Sequence, residues 1–211
     1  MKVLTRVLLL AVLLVASGAA LADEPAANPA DTLYMDLAFG RVVIQLRPDL
    51  APNTCNQIKK LARAGFYDGV VFHRVIAGFM AQGGDPTGTG GGGSGHPLKA
   101  EFSSEPFVRG VVAMARTSDP NSADSQFFIM FAAAPALDGK YTIFGKVVSG
   151  MEFVDRLKKG DPNDNGKVAN PDKIVKMQVA SDVIAADEKA NQPKPREQTD
   201  PTVGEMPKLH Q

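Results

Sequence analysis

The chain is poor in the side chains on which most enzyme chemistry rests. Its 211 residues include one cysteine, three histidines and no tryptophan. A lone cysteine, Cys55, cannot form an intramolecular disulfide and has no partner for a thiolate metal site. His73, His96 and His210 lack the mutual spacing of metal ligands. Charge is not in excess either, because 23 basic residues balance 23 acidic ones. Nucleic-acid binding requires a basic face that neutralises phosphates, and the composition gives it no support. No metal, cofactor or nucleic-acid partner is therefore expected. The one long apolar run, VLLLAVLLV at 7–15, is shorter than the ~20 residues of a membrane-spanning helix.

That run follows Lys2 and Arg6 and precedes Ala20-Leu21-Ala22, the small residues read by a signal peptidase. Residues 1–22 are expected to be a cleavable secretory signal, cut after Ala22, leaving no membrane attachment. Residues 23–31 are polar with two prolines and read as a flexible leader. Residues 185–211 are polar and proline-rich and read as a disordered tail. Between them, 32–184 is expected to fold as one domain.

Within that domain, apolar and polar residues alternate through LYMDLAFGRVVIQL (33–46), which predicts a hairpin turning at Phe39-Gly40. APNTCNQIKKLARAG (51–65) predicts a helix, with Pro52 at its first position and Gly65 as its stop. Cys55, Ile58, Leu61 and Ala62 share one face. Five further strand-like runs follow, at 70–76, 110–115, 125–131, 141–148 and 174–181. GMEFVDRLKKG (150–160) predicts a second helix. Two isolated helices among many short strands do not alternate as a parallel sheet requires. The pattern predicts a mainly β protein, an antiparallel sheet closed into a barrel to remove its edges.

Motifs are weak. Gly88-Thr89-Gly90-Gly91-Gly92-Gly93 satisfies GxGxxG only as any glycine run does, and no helix start follows it. It lacks the Lys-Ser/Thr of a P-loop and reads as slack in a surface loop. Gly92-Gly93-Ser94-Gly95-His96 fails the serine-hydrolase elbow at its last position. Asp119 and Asp124 read as ordinary turn residues. Arg74, set among Phe72, Val75, Ile76, Phe79 and Met80, would by composition alone be a snorkelling side chain or half of a structural ion pair.

Three blocks take the reading further: FHRVIAGFMAQGGD (72–85), MARTSDPNSADSQFFIMF (114–131) and LDGKYTIFGKVVSGM (137–151). In order and spacing they resemble the cyclophilin family of peptidyl-prolyl cis/trans isomerases. With the signal they look like its bacterial periplasmic members. The resemblance implies a closed eight-stranded antiparallel β-barrel capped by two α-helices, and a periplasmic or secreted monomer acting on X-Pro bonds of unfolded or partly folded polypeptides. It implies that Arg74 is catalytic. Phe79, Met80, Phe128 and Leu137 would line a proline pocket, with Tyr141 on one wall. Gln82 would bind substrate backbone and orient Arg74. Ala115 and Arg116 would flank the residue before proline, and His73 would lie nearby, in reach of substrate. Ala136 stands where eukaryotic members usually carry tryptophan, which implies weak cyclosporin binding. The alternative is a non-catalytic chaperone using the same groove.

Overall fold

The computed structural model describes residues 28–191. Its frame is one sheet of eight strands, each paired antiparallel with its neighbours. In chain order these are β1 (Thr32–Leu37), β2 (Gly40–Leu46), β3 (Arg74–Ile76), β4 (Met80–Gly83), β5 (Val111–Met114), β6 (Phe127–Met130), β7 (Ile143–Ser149) and β8 (Ile174–Val179). Across the sheet the order is β3-β4-β6-β5-β7-β2-β1-β8. The helices are α1 (Pro52–Arg63), α2 (Met151–Asp155) and α3 (Ala180–Ala190).

The expected closed barrel is not formed by the strands. The sheet curls but remains open between its end strands β3 and β8. The segment leading into β3 meets the start of β8 and the residues just before it, through an isolated bridge between Val71 and Lys173 and bonds such as Ile174 N–H to Val70 O at 2.9 Å. β3 is three residues long, too short to continue the ladder. Strand β4 was not evident as a separate element in the sequence. Gly78, in left-handed conformation (φ 71°), is the middle residue of the turn from β3, and the next strand runs only from Met80 to Gly83.

The β1–β2 hairpin forms because a period of two places every second residue on one face. Leu33, Met35, Leu37, Val42, Ile44 and Leu46 are all buried in the main core. The turn is centred on Ala38-Phe39, one residue earlier than expected. Gly40 instead opens β2, at a point where any Cβ would run into the Phe153 ring of α2. The same alternation continues across the sheet. Ala81, Val112, Phe127, Ile129 and Phe144 face the main core, while Met80, Val111, Ala113, Phe128, Met130 and Ile143 form a smaller cluster with Phe107.

Three corrections concern the periphery. Among the described residues there are three α-helices rather than two, because α3 runs to Ala190, so the tail expected from 185 begins as helix. Its Asp182 pairs with Arg63 of α1. The end of the expected flexible leader is a 3-10 turn, Pro29–Asp31, capped by the Asn28 side chain and held by Lys59 through a 2.9 Å pair to Asp31. The signal segment, the rest of the leader and the tail beyond 191 lie outside the described residues.

Helix α1 ends as expected. Gly65 takes φ 68°, and the Phe66 and Gly65 N–H groups return to the Leu61 and Ala62 carbonyls, a pairing that satisfies the last turn. Its beginning is unusual. Ala51, at the N-cap, has no side chain with which to cap. Glu101, from a distant loop, takes that place. Its carboxylate accepts the N–H groups of Asn53 (3.0 Å) and Thr54 (2.9 Å) and the Thr54 hydroxyl (2.7 Å). Burial opposes ionisation of Glu101, but these bonds prevail and hold its pKa below the ordinary value. Replacing Glu101 by Ala is expected to cost about 1–2 kcal/mol in urea unfolding at neutral pH, the size of a lost N-cap. A carboxyl with a depressed folded pKa stabilises above its unfolded pKa of ~4.3 and ceases to do so as pH falls through the folded value. The difference between wild type and Glu101→Ala should therefore shrink on acidification below about pH 4, and an unchanged difference would rule out this role.

Candidate active site

Arg74 and Gln82 are cross-strand partners in the β3–β4 pair, which places both side chains on the same face of the sheet. Arg74 Nη1 donates to Gln82 Oε1 at 3.1 Å. On its other side, Nε donates to the Asn165 backbone carbonyl and Nη2 to Asn165 Oδ1, both at 2.9 Å. Asn165 sits in left-handed conformation (φ 49°), which lets its carbonyl and side chain face the same guanidinium. Arg74 belongs to none of the ion pairs among the described residues. It is half-buried, and that burial draws its pKa below the ordinary arginine value. The snorkelling and structural-pair readings both fail: neutral acceptors hold the cation against the sheet, Nη1 being shared between Gln82 Oε1 and Met80 Sδ (4.0 Å), and one Nη2 hydrogen remains free to donate.

Beside it opens a cavity of about 190 Å³. Phe79, Met80, Ala115, Phe128, Leu137 and Tyr141 supply its apolar lining, and Arg74, Gln82 and Arg116 its polar rim. Residues from five separate segments, read as one site from the sequence, thus come together. The floor is aromatic. Tyr141 meets Phe128 edge-on at 5.7 Å, and Phe107 stacks on Phe128 at 6.0 Å. His73 is the exception. It is 8% exposed and lies on an adjoining cavity with Arg74 and Gln82 rather than on this one. Burial lowers its pKa, with Arg74 adding to that and Asp85 opposing it, so the imidazole is neutral at pH 7.

Arg116 is not a free cation. Its Nε and Nη2 donate to the Lys140 carbonyl and its Nη1 to that of Thr117, while the guanidinium lies 4.6 Å from the Tyr141 ring centre. It forms a fixed wall at the end of the cavity. Ala115 N–H is given to the Gln126 carbonyl.

Gln126, Asn165 and Phe107 were not singled out in the sequence. Gln82 Nε2 donates to Gln126 Oε1 at 2.9 Å, and Gln126 Nε2 donates to the carbonyls of Gly90 and Gly92. The glycine run is therefore not slack. Asp85, fully buried, accepts the N–H groups of Thr87, Thr89 and Gly90, and Asp124 those of Ser94 and Gly95. Asp124 is thus a clamp rather than an ordinary turn residue. A Cβ on Gly92 would enter the Asp85 carboxylate, which explains a glycine there better than flexibility does. Asp85-Pro86-Thr87 is the pattern of an aspartate bonding to the backbone two residues on, and it was the available sequence signal.

A curled antiparallel sheet that carries an unpaired guanidinium beside a small aromatic-floored pocket defines a receptor for an apolar ring within a polar peptide. Known proteins give that class its family. The model of the cyclophilin type peptidyl-prolyl cis-trans isomerase/CLD family matches residues 32–179. A probable peptidyl-prolyl cis-trans isomerase of Brucella suis is 56% identical over 169 residues, covering 74% of this chain and 86% of its own. The peptidyl-prolyl cis-trans isomerase ppi1 of Schizosaccharomyces pombe is 43% identical over 147 residues, covering 67% and 94%. A Cryptosporidium parvum cyclophilin, crystallised in the presence of the dipeptide Ala-Pro, superposes with a TM-score of 0.65 at 32% identity, covering 70% of this chain and 98% of its own. The chain belongs to the cyclophilin family. It is a peptidyl-prolyl cis-trans isomerase.

The loop clamp can be tested directly. Asp85→Asn keeps the shape but removes the charge that three N–H groups share, and should lower stability by about 1.5–3 kcal/mol. Amide exchange at Thr87, Thr89 and Gly90 should accelerate with it, and unchanged exchange would show the loop to be ordered by something else.

Proposed function

We propose that Arg74 is the catalytic residue of this isomerase and that the 190 Å³ cavity takes the proline ring of its substrate. The observation that carries the reading is a guanidinium with a free Nη2 hydrogen and no carboxylate partner among the described residues, held at the rim of an apolar pocket. A peptide bond resists rotation by roughly 18–20 kcal/mol because the nitrogen lone pair is delocalised into the carbonyl. The tertiary amide before proline brings cis and trans close in energy but leaves their exchange slow. As the bond twists, the lone pair localises on the prolyl nitrogen. A positive donor aimed there is worth more to the twisted state than to either planar one, which is the requirement for lowering a barrier. Neither a nucleophile nor a proton transfer enters.

The other residues serve binding. Gln82 keeps an amide hydrogen and an oxygen lone pair for substrate backbone while it positions Arg74. Because the Ala115 N–H is already taken, pairing with the residue before proline is left to the Ala115 carbonyl and the backbone of Arg116. The Ala-Pro unit present with the Cryptosporidium relative is the unit this groove would take. Burying about three ring methylenes at ~0.8 kcal/mol each, with a few hydrogen bonds, gives affinities near millimolar, suited to rapid release.

The proposed clients are exported proteins, met in the periplasm or outside the cell by a monomeric enzyme. Support comes from the sequence of residues 1–22 alone. Mass spectrometry of the protein from its native compartment should find an N-terminus at Asp23. A cytoplasmic protein that retains Met1 or residues near it would refute the export reading.

Exchange kinetics on an Ala-Pro peptide test the catalytic assignment. Arg74→Ala should lose about 100-fold or more in kcat/KM, the scale of removing one transition-state donor, while peptide affinity changes little. A parallel loss of affinity with unchanged kcat would make Arg74 a binding residue only. The wall of the pocket can also be probed with a ligand. Ala136 is exposed and offers no indole, so cyclosporin should bind more weakly than about 1 μM, and Ala136→Trp should tighten it. Submicromolar binding by wild type would contradict this.

A further inference from the structure

A second compartment of about 670 Å³ adjoins the proline pocket, sharing Arg74 and Gln82 as a common wall. Its charges are unevenly set. His73 lines it but is neutral, and Asp164 is its one carboxylate. Lys167 lines it from the loop after Asn165. Its backbone bridges antiparallel to that of Arg74, so the two side chains leave on one face, and both line this compartment. Like charges in that relation are unfavourable. Neither is matched by an ion pair among the described residues, Asp164 included. An anion placed between them gains from both.

The direction of the substrate decides what arrives there. On the reading above, Ala115 and Arg116 flank the residue before proline, and neither lines this compartment. A chain that enters past Arg116 and leaves over Arg74 carries the residues after proline into it. We propose that this compartment receives a client side chain one or two residues after the proline and favours Asp or Glu there, with Lys167 as the specificity-determining residue. The inference rests on that placement of the proline. An exposed ion pair of this kind gives a preference of roughly two- to fivefold, weakened by salt.

The test compares kcat/KM on Ala-Pro peptides carrying Glu, Gln or Lys at the first or second position after proline, at low and high salt. Wild type should prefer Glu to Gln and Gln to Lys at one of these positions, and the order should flatten at high salt. Lys167→Gln should bring the Glu-to-Gln ratio to about one, and Lys167→Glu should invert the order. Each ratio is taken within one preparation, so partial unfolding of a variant cancels. Equal acceleration of all peptides by wild type overturns the inference and leaves the isomerase standing. A preference for Glu that persists in Lys167→Glu overturns it as well. If the preference appears only for acids placed before proline, the assigned direction of the substrate is wrong, and the inference falls with it.

Discussion

Arg74 carries its charge half-buried against the sheet, and its partners are neutral: an amide oxygen from Gln82, and the carbonyl and side-chain oxygen of Asn165. Had a carboxylate stood in their place, the cation would be screened where it faces the pocket and its field largely spent. Burying an unpaired charge is costly, and burial does lower the Arg74 pKa. The surrounding structure offsets that cost with fixed dipoles. Arginine suits the position because it stays charged and presents its donors in a rigid plane.

Much of the fold can be understood as support for that arrangement. The β3–β4 register sets Gln82 beside Arg74, and the β4–β6 register sets Phe128 opposite Gln82. From Gln82 the hydrogen bonds run to Gln126, and from there to the glycine loop, which the buried Asp85 fixes in turn. A loop rich in glycine is thus rigid on the side that matters, because its amides converge on carboxylates. The sheet separates two apolar worlds. One face packs the main core, and the other, with Phe107, Phe128 and Tyr141, forms the floor of the site. A pocket floor built from close-packed aromatic rings holds its shape without a ligand.

The parts of this that were legible in the sequence share a physical reason. Leu33, Met35 and Leu37 alternate with less buried partners, and Cys55, Ile58, Leu61 and Ala62 recur at helical spacing, because one face of each element must leave water. The pocket residues were readable only through resemblance, since Phe79, Phe128 and Leu137 look like any core residues. Periodicity gave no sign of β4, whose four residues are nearly all buried, or of the gap between β3 and β8. Asn165 and Gln126 are polar residues in connecting segments. Their roles arise from contacts to residues 91 and 44 positions away, and no local pattern records these. Lys167 belongs to the same class.

The central claim is that charge at position 74, rather than shape or hydrogen bonding alone, lowers the barrier. Replacing Arg74 by citrulline through semisynthesis keeps the planar outline and most of the N–H donors but removes the charge. Magnetisation-exchange NMR on an Ala-Pro peptide then yields both the catalysed exchange rate and the affinities of the cis and trans forms. The account predicts a rate lower by about tenfold or more, equivalent to ~1.4 kcal/mol of lost transition-state stabilisation, with both affinities nearly unchanged. An exchange rate equal to that of the arginine enzyme would contradict it.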